Sequence, residues 1–240
     1  MRWLILADIH SNLEALHAVL NDAQGKYKRI LCLGDVVGYG ANPNECIEIL
    51  KRFGDYKLIC LMGNHDAAVA GILSLENFND YAKEAVKWTI DEIRQANLKW
   101  LSNLPEFFTM QYLYAVHGSP NEPLTEYMDE NVAEISFQKI VERVIFCGHT
   151  HIPFVIRGKN KAEYLKDKEV VDFSREKTVI SFPSVGQPRD KDNRAGYAIA
   201  DFRTKTIEIH RVEYDIEAAA KKITSAGLPN FLAERLKEGI

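Results

Sequence analysis

The 240-residue sequence lacks the features that mark membrane, disulfide-rich or nucleic-acid-coating proteins. No apolar run approaches the roughly 18 residues that a transmembrane helix needs. The four cysteines form no Cys-x-x-Cys pair, which argues against a disulfide framework or a structural zinc site. Lys and Arg number 30 against 34 Asp and Glu, so the net charge is −4. A nucleic-acid partner is therefore disfavoured, because such proteins present an excess of basic residues.

We also expect no secretion signal at the N-terminus. The apolar stretch after Arg2 ends at Ala7, because Asp8 and His10 follow, and it is too short for the apolar region of a signal peptide. Together with the unpaired cysteines, this predicts a cytoplasmic protein with no membrane partner. The hydrophobic content of 46% and the charged content of 27% are ordinary for a globular protein. We expect a single domain over residues 1–240, with the oligomeric state left open.

The first part of the chain alternates strand and helix patterns. Apolar runs predict strands at residues 3–7, 29–33 and 57–62. Helix-start signals lie between them: a capping box that begins at Ser11, and Asn42 followed by a proline. This order predicts a parallel sheet with helices on its faces.

The rest of the chain is more varied. Residues 67–104 have a helical pattern and predict a cap-like helical insertion. Further strands are predicted at 111–116 and 143–147, on either side of a polar, acidic stretch. Three more are predicted in the last third, at residues 178–182, 195–201 and 206–212, and the short link between the last two favours an antiparallel pair. Two terminal helices follow, the second beginning at Pro229.

Metal-binding residue types recur where the predicted strands end. The five segments are Asp8-Ile9-His10, Gly34-Asp35-Val36-Val37-Gly38, Gly63-Asn64-His65-Asp66, His117-Gly118 and Gly148-His149-Thr150-His151. The carboxyl ends of strands in open α/β sheets are where sites assemble. Residues i and i+2 of an extended segment point the same way, so Asp8 and His10 are positioned to share an ion. Five of the seven histidines lie in these segments, which predicts a metal centre rather than five unrelated surface sites.

In this order, the motifs D-x-H, G-D-x-x-G, G-N-H-D, H-G and G-H-T-H resemble those of the calcineurin-like metallophosphoesterase superfamily. The resemblance covers residues 8–151, and residues 184–190, Ser-Val-Gly-Gln-Pro-Arg-Asp, are similar to a loop of its small bacterial and archaeal phosphodiesterase-type members. It implies an α/β fold, a four-layer α/β/β/α sandwich with two divalent metal ions between the loops of the two sheets.

The resemblance also implies roles for individual residues. The first metal ion would be held by Asp8, His10, Asp35 and His151. Asp35 would bridge to the second ion, which would also bind Asn64, His117 and His149. Manganese is the favoured metal, with iron, zinc, nickel and cobalt as alternatives. His65 would be a catalytic histidine rather than a ligand.

Elementary chemistry supports this division of roles. Two divalent ions about 3.5–4 Å apart need an anionic bridge, which a carboxylate such as Asp35 provides, and they acidify a bridging water. The leaving alkoxide needs a proton, and an imidazole such as His65 is suited to donate it. Arg189 is a candidate for binding a substrate phosphate, the alternative being a salt bridge to Asp190 or Asp192.

The sequence thus predicts a two-metal hydrolase that cleaves a phosphodiester or phosphomonoester by attack of a metal-bridging hydroxide. Within enzymes, the alternatives are a protein phosphatase and a nucleotide pyrophosphohydrolase, and a nuclease is disfavoured by the acidic charge balance. From another class, the alternative is a metal-binding interaction scaffold with little or no turnover.

Some residues near the motifs carry weaker expectations. Tyr39 and Asn44 are expected to line the cleft, and Asp66 to orient His65 or to cap the following helix. His17 and His210 are expected to be structural or exposed, and the stretch around Trp88 to pack rather than to stack on a nucleobase.

Overall fold

The computed structural model describes residues 1–240 and contains two six-stranded sheets. The twelve strands are β1 Arg2–Leu6, β2 Arg29–Cys32, β3 Leu58–Cys60, β4 Phe107–Met110, β5 Leu113–Val116, β6 Val144–Cys147, β7 Phe154–Arg157, β8 Glu163–Tyr164, β9 Val170–Asp172, β10 Thr178–Ser181, β11 Ala195–Asp201 and β12 Thr206–Val212. The nine helices are α1 Leu13–Asp22, α2 Pro43–Lys51, α3 Gly54–Lys57, α4 Asn64–Val69, α5 Asp80–Glu92, α6 Gln95–Leu101, α7 Glu130–Lys139, α8 Ile216–Ser225 and α9 Asn230–Glu238.

Both sheets are mixed. The first has the order β3-β2-β1-β11-β12-β9 and the second the order β4-β5-β6-β10-β7-β8. The predicted parallel pairing holds for β1, β2 and β3, but β11 joins β1 antiparallel. The antiparallel pairing of β11 with β12 is confirmed over the whole length of both strands. The carboxyl ends of β1, β2 and β3 therefore lie side by side at one edge, where the first three motifs begin.

Alternating side chains sort the core into layers. In β1, Leu4 and Leu6 pack in a cluster with helix α1, whereas Trp3 and Ile5 pack in the cluster between the two sheets. This alternation follows from the two-residue period of a strand. In the second sheet, Phe146 faces the same inner cluster. The two sheets therefore pack face to face, with helices on the outer faces, as the predicted α/β/β/α sandwich requires.

The outer helical layers are unequal. Helices α1 and α2 contribute to the cluster on the first sheet, whereas α7 alone covers the second, with Phe137 packed against the β-sheet residues Ile145 and Val179. Helices α4, α5 and α6 occupy the segment predicted to be helical. Helices α8 and α9 pack on each other and on α5, where Trp88 packs as expected. None of the helices combines the length and the apolar character that a membrane crossing requires.

The structure differs from the sequence predictions at several elements. The side chain that caps α1 is Asn12, which accepts a bond from Ala15 N at 3.1 Å, and not Ser11. The reason is that Ser11 has a φ of +53°, whereas a capping residue needs an extended backbone. The polar, acidic stretch contains α7, which begins after the capping residue Asp129. Strands β4, β7, β8 and β9, each two to four residues long, were not predicted.

Candidate metal centre

The motif residues lie where loops of the two sheets meet. Five of them have a left-handed backbone, namely Asp8, His10, Asp35, His149 and His151, with φ between +48° and +65°. This conformation is uncommon for residues other than glycine and costs free energy, so it persists only where the surrounding structure enforces it. The loops therefore hold these side chains in orientations that a relaxed backbone would not give.

Two groups of buried ligand atoms result. Asp8, His10, Asp35 and His151 form the first group, and Asp35, His117 and His149 form the second, with the ligand atoms of each group within 4.8 Å of one another. Asp35 belongs to both: its Oδ2 lies 3.6 Å from His10 Nε2 and 3.4 Å from His117 Nε2. The structure thus places one carboxylate between two clusters of imidazoles.

Asn64 adds an oxygen to the second group. It is the first residue of α4, and its Oδ1 lies 3.0 Å from His117 Nε2. The two groups, with Asn64, contain all seven residues that the resemblance implies as ligands.

Backbone carbonyls fix the tautomer of each histidine in the two groups. His10 Nδ1 donates to Val37 O, His117 Nδ1 to Leu33 O, His151 Nδ1 to Gln187 O and His149 Nε2 to Thr125 O, at 3.1, 2.9, 2.6 and 3.2 Å. The other ring nitrogen of each histidine then carries a lone pair directed into the cluster. Metal-binding histidines are held in this way in proteins generally.

The donor set fits divalent cations. His10 Nε2 and His151 Nε2 face each other at 3.1 Å, as do His117 Nε2 and His149 Nδ1. Asp8 Oδ2 is buried without a hydrogen-bond partner. Lone pairs and an unpaired carboxylate oxygen that converge in this way repel one another unless a cation or a proton lies among them. Nitrogen and oxygen donors without a thiolate suit manganese, iron, zinc, nickel or cobalt.

The electrostatics of the groups favour neutral imidazoles. Burial lowers the pKa of His149 to about 3 and holds the pKa values of His10 and His151 well below the usual range. His117 is the exception: burial opposes its charge, but the Asp35 carboxylate raises its pKa to about 9. Burial likewise raises the pKa of Asp8 to about 7. A neutral imidazole is the form that binds a metal ion, so three of the four histidines need not lose a proton to do so.

His65 lies beside the first group but belongs to neither. It is the second residue of α4, and its backbone N donates to Asp35 Oδ1 at 2.9 Å. Its ring centroid lies 4.4 Å from that of Tyr39 and 5.0 Å from that of His10. The Nδ1 atom is buried and makes no hydrogen bond, and burial lowers the pKa of the ring to about 4. The structure therefore places a neutral imidazole beside the ligand cluster, with its Nδ1 packed against Gly38.

Asp66 anchors the loop that carries Asp35. Its carboxylate accepts bonds from the backbone N atoms of Val36, Val37 and Gly63 at 3.0–3.2 Å. The N-cap of α4 is Gly63 and not Asp66, which lies inside the helix and accepts the bond from Gly63 N. No bond from Asp66 to the His65 ring is present either. The other two bonds join α4 to the turn after β2, which sequence reasoning did not foresee.

We expect Asp66→Ala to destabilise the protein by about 2–4 kcal/mol. Three backbone N–H groups lose their partner, at roughly 1–3 kcal/mol each for a buried donor, and removal of a buried carboxylate offsets part of that cost. Urea unfolding followed by circular dichroism measures the change. The exposed Asp91→Ala in α5 serves as the matched control and should stay within about 0.5 kcal/mol of the wild type. Equal midpoints for the two variants would contradict the anchoring role of Asp66.

A cleft opens beside the ligand groups. Its lining includes Asp35, His65, Tyr39 and Arg189. Arg189 Nη2 donates to Gln187 Oε1 at 3.0 Å, and its Nε is buried without a partner. The salt bridge considered as the alternative role of Arg189 is absent.

The neighbouring carboxylates have other partners. Asp190 pairs with Arg211, and Asp192 with Arg194. These pairs leave Arg189 without an acidic partner and directed to the cleft.

Two further expectations about the cleft had different outcomes. Tyr39 lines it, but Asn44 does not. Asn44 instead joins α2 to the α5–α6 turn, since its side chain bonds Glu92 O and Arg94 N at 2.9 Å. Tyr127 was missed: its ring stacks on His149 with centroids 4.0 Å apart, and it lines the cleft from a loop that carries no recognisable sequence signal.

The two remaining histidines are outside the site, as expected. His17 is exposed on α1. His210 is buried in β12 and stacks on Tyr197, with the centroids 4.7 Å apart.

Comparison with known proteins identifies the family. The profile described as "Calcineurin-like phosphoesterase superfamily domain" matches residues 1–205. The chain belongs to this superfamily. A 43% identical relative, the uncharacterized protein MJ0912 of Methanocaldococcus jannaschii, aligns with 97% of this chain and 96% of its own. The calcineurin-like family and the buried Asp and His groups together make the protein a metal-dependent phosphoesterase.

Solved structures agree with the fold. A metallophosphoesterase from Sphaerobacter thermophilus is 39% identical and superposes with a TM-score of 0.90, over 100% of this chain and 99% of the other. The protein PH1004 of Pyrococcus horikoshii, 19% identical, shares the fold with a TM-score of 0.83 over 100% and 98% of the two chains. The calcineurin-like sandwich is therefore confirmed for the whole chain.

Proposed function

We propose that the protein is a two-metal hydrolase of phosphodiesters or phosphomonoesters. The observation that carries the proposal is the position of Asp35, whose Oδ2 lies within 3.6 Å of an imidazole nitrogen from each ligand group. A carboxylate so placed suits a bridge between two cations. Asp8, His10 and His151 would complete the first site, and Asn64, His117 and His149 the second. Two divalent ions bound there supply an acidified water as nucleophile and neutralise the phosphoryl oxygens.

Two side chains, Arg189 and His65, would bind the ester and protonate its leaving group. Arg189, which lines the cleft and has no acidic partner, binds a phosphoryl oxygen of the ester and orients it. His65 holds the proton that the leaving oxygen needs. Burial keeps the free imidazole neutral, but the negative charge of a bound phosphate ester favours its protonated form. The leaving oxygen thus departs as an alcohol rather than as an alkoxide.

The proposal extends to the setting of the reaction. The protein is proposed to act in the cytoplasm, on a phosphate-ester substrate and without a nucleic-acid or membrane partner. Residues 1–240 form one domain in this proposal, with the helices between residues 67 and 104 as a cap-like insertion beside the cleft. Asn77 and Phe78 of that segment line the cleft, which supports its role as a cap.

A screen of purified protein tests the substrate class. We expect turnover of bis(p-nitrophenyl) phosphate or p-nitrophenyl phosphate with added manganese. Turnover only of nucleotide pyrophosphates, or only of phosphoproteins, would replace the proposal by one of the two alternative enzyme classes. The screen should include both alternatives as substrates.

Chelation is expected to abolish hydrolysis, and manganese to restore it, because only ions bound to the seven ligand residues would acidify the attacking water. The measurement is the initial rate on bis(p-nitrophenyl) phosphate before and after dialysis against a chelator, with metal content determined on the same samples. Full activity in protein shown to be free of metal would contradict the proposal. Restoration by iron, zinc, nickel or cobalt but not by manganese would correct only the identity of the ion.

Arg189→Ala is expected to raise KM by roughly 10- to 100-fold and to lower kcat less. A charged hydrogen bond to the substrate contributes about 1.5–3 kcal/mol, and its loss from the ground state appears in KM. Steady-state kinetics on the best substrate from the screen measure both constants. Arg189→Lys keeps the charge but not the planar donor pair, so its KM should lie between those of wild type and alanine. Unchanged constants for both variants would leave Arg189 outside the substrate site.

A further inference from the structure

A second arginine lies near Arg189 and does not come from the part of the chain that matches the family. Arg235 is on α9, beyond residue 205. Its guanidinium carbon lies 6.0 Å from the ring centroid of Tyr39, and that of Arg189 lies 5.9 Å from the same centroid. Helix α9 thereby brings a positive charge to the tyrosine that lines the cleft.

The tyrosine ring connects Arg235 to the reaction centre. The centroid of Tyr39 is 4.7 Å from that of His10 and 4.4 Å from that of His65. Tyr39 itself is buried and has a φ of +59°, a strained conformation for a residue with a side chain. Only one side chain therefore separates Arg235 from a candidate metal ligand and from the candidate acid.

The two arginines have no Asp or Glu partner. Neither forms a salt bridge within 4.0 Å, although the structure pairs many of the other arginines with carboxylates, including Arg194 and Arg211. The hydrogen bond that Arg235 makes runs from Nε to Ile240 O, which leaves its terminal nitrogens free. Asp35 is the only carboxylate among the residues that line the cleft.

This arrangement has an electrostatic cost. Burial and then the charge of Arg189 lower the pKa of Arg235 to about 10. Two like charges held near each other without an Asp or Glu partner attract an anion, and guanidinium groups bind phosphate with paired donors.

We propose that Arg235, beside the Arg189 that binds the scissile ester, forms a subsite for a second phosphate group, so that the preferred substrates are phosphate esters whose alcohol part carries another phosphate. The inference rests on the proposed hydrolase function for the position of the scissile ester. Helix α9, which lies outside the residues that match the family, would thus contribute to substrate specificity. Arg235 acts here on substrate recognition and takes no part in proton transfer.

Two esters that differ by one phosphate test the subsite. Thymidine 5′-(p-nitrophenyl phosphate) and the same compound with a 3′-phosphate release the same nitrophenolate. Wild-type protein with manganese should favour the 3′-phosphorylated ester in kcat/KM by roughly 10- to 100-fold, the size of one or two charged hydrogen bonds. Arg235→Gln should lose most of that preference, and Arg235→Lys should keep part of it.

Lys237→Gln is the matched control. It removes the same charge from the same helix, but Lys237 pairs with Glu217 on α8. Its preference ratio should equal that of the wild type. Thermal unfolding of all three variants shows whether α9 remains docked.

A binding measurement separates the subsite from the chemistry. Titration calorimetry on the manganese-loaded protein should give tighter binding of thymidine 3′,5′-bisphosphate than of the 5′-monophosphate, and Arg235→Gln should abolish the difference. Equal binding of the two nucleotides to the wild type would overturn the subsite even if both esters are hydrolysed. A difference that survives in Arg235→Gln would assign Arg235 to docking of the C-terminal segment through its bond to Ile240. If neither ester is hydrolysed but the binding difference is found, the proposed hydrolase function fails and the subsite stands.

Discussion

Asp35→Ala is expected to abolish hydrolysis, with a loss above roughly 10³-fold, more than the 10²–10³-fold typical of losing one electrostatic contact in an active site. The reason is that one substitution removes a ligand atom from both groups, since Asp35 Oδ2 faces His10 and His117 together. Without the carboxylate, two divalent ions would face each other at close range with no anion between them.

The measurement is the metal stoichiometry of the variant, by titration with manganese, next to its turnover. Asp35→Asn is the informative companion, because an amide oxygen preserves the bond from His65 N while the negative charge is lost. We expect it to bind at most one ion tightly. Two ions bound at wild-type affinity in either variant would contradict the bridging role.

His65→Ala is expected to keep both metal ions and the fold while losing turnover. A general acid contributes roughly 10²–10⁴-fold, so the loss should reach that range for an ester with an alkyl leaving group. For a nitrophenyl ester it should be much smaller, because nitrophenolate leaves without a proton. His65 lines the cleft and belongs to neither ligand group, which is the structural reason for this expectation.

Rates for a matched alkyl and nitrophenyl ester, together with metal content, provide the test. The control is His17→Ala, which removes an exposed imidazole from α1 and should change neither rate. Equal slowing on both esters with the metal content intact would make His65 a phosphate-positioning group. A parallel fall in metal content and rate would make it structural.

The clustering of the motif residues could be predicted from the sequence because the motifs share a simple pattern. Each motif follows a short apolar strand, and the ends of neighbouring parallel strands meet at one edge, so Asp8, Asp35 and Asn64 are brought close without knowledge of the loops. The β11–β12 hairpin was predicted for a similar reason, since its strands are seven residues long and adjacent in sequence.

Features that depend on contacts between distant residues could not be predicted in this way. Two of the three bonds of Asp66 join segments about 30 residues apart, and nothing in the local sequence marks them. Arg235 approaches Tyr39 from almost 200 positions further along the chain. Strand β8 has only two residues and is defined by its pairing with β7 rather than by its composition.

The candidate ligands come from loops of both sheets, and this affects how the protein folds. Asp8 accepts a bond from the backbone N of His149, 141 residues away, so the first ligand group closes only when both sheets are packed together. A cation bound there acts as a crosslink between the two halves of the sandwich, and because it binds the folded chain alone, it shifts the folding equilibrium by mass action. Long-range closure of this kind belongs to the late stages of folding. A substitution that weakens a contact between the sheets, for example at Trp3 or Phe146, should therefore lower the metal affinity before it changes other properties of the protein.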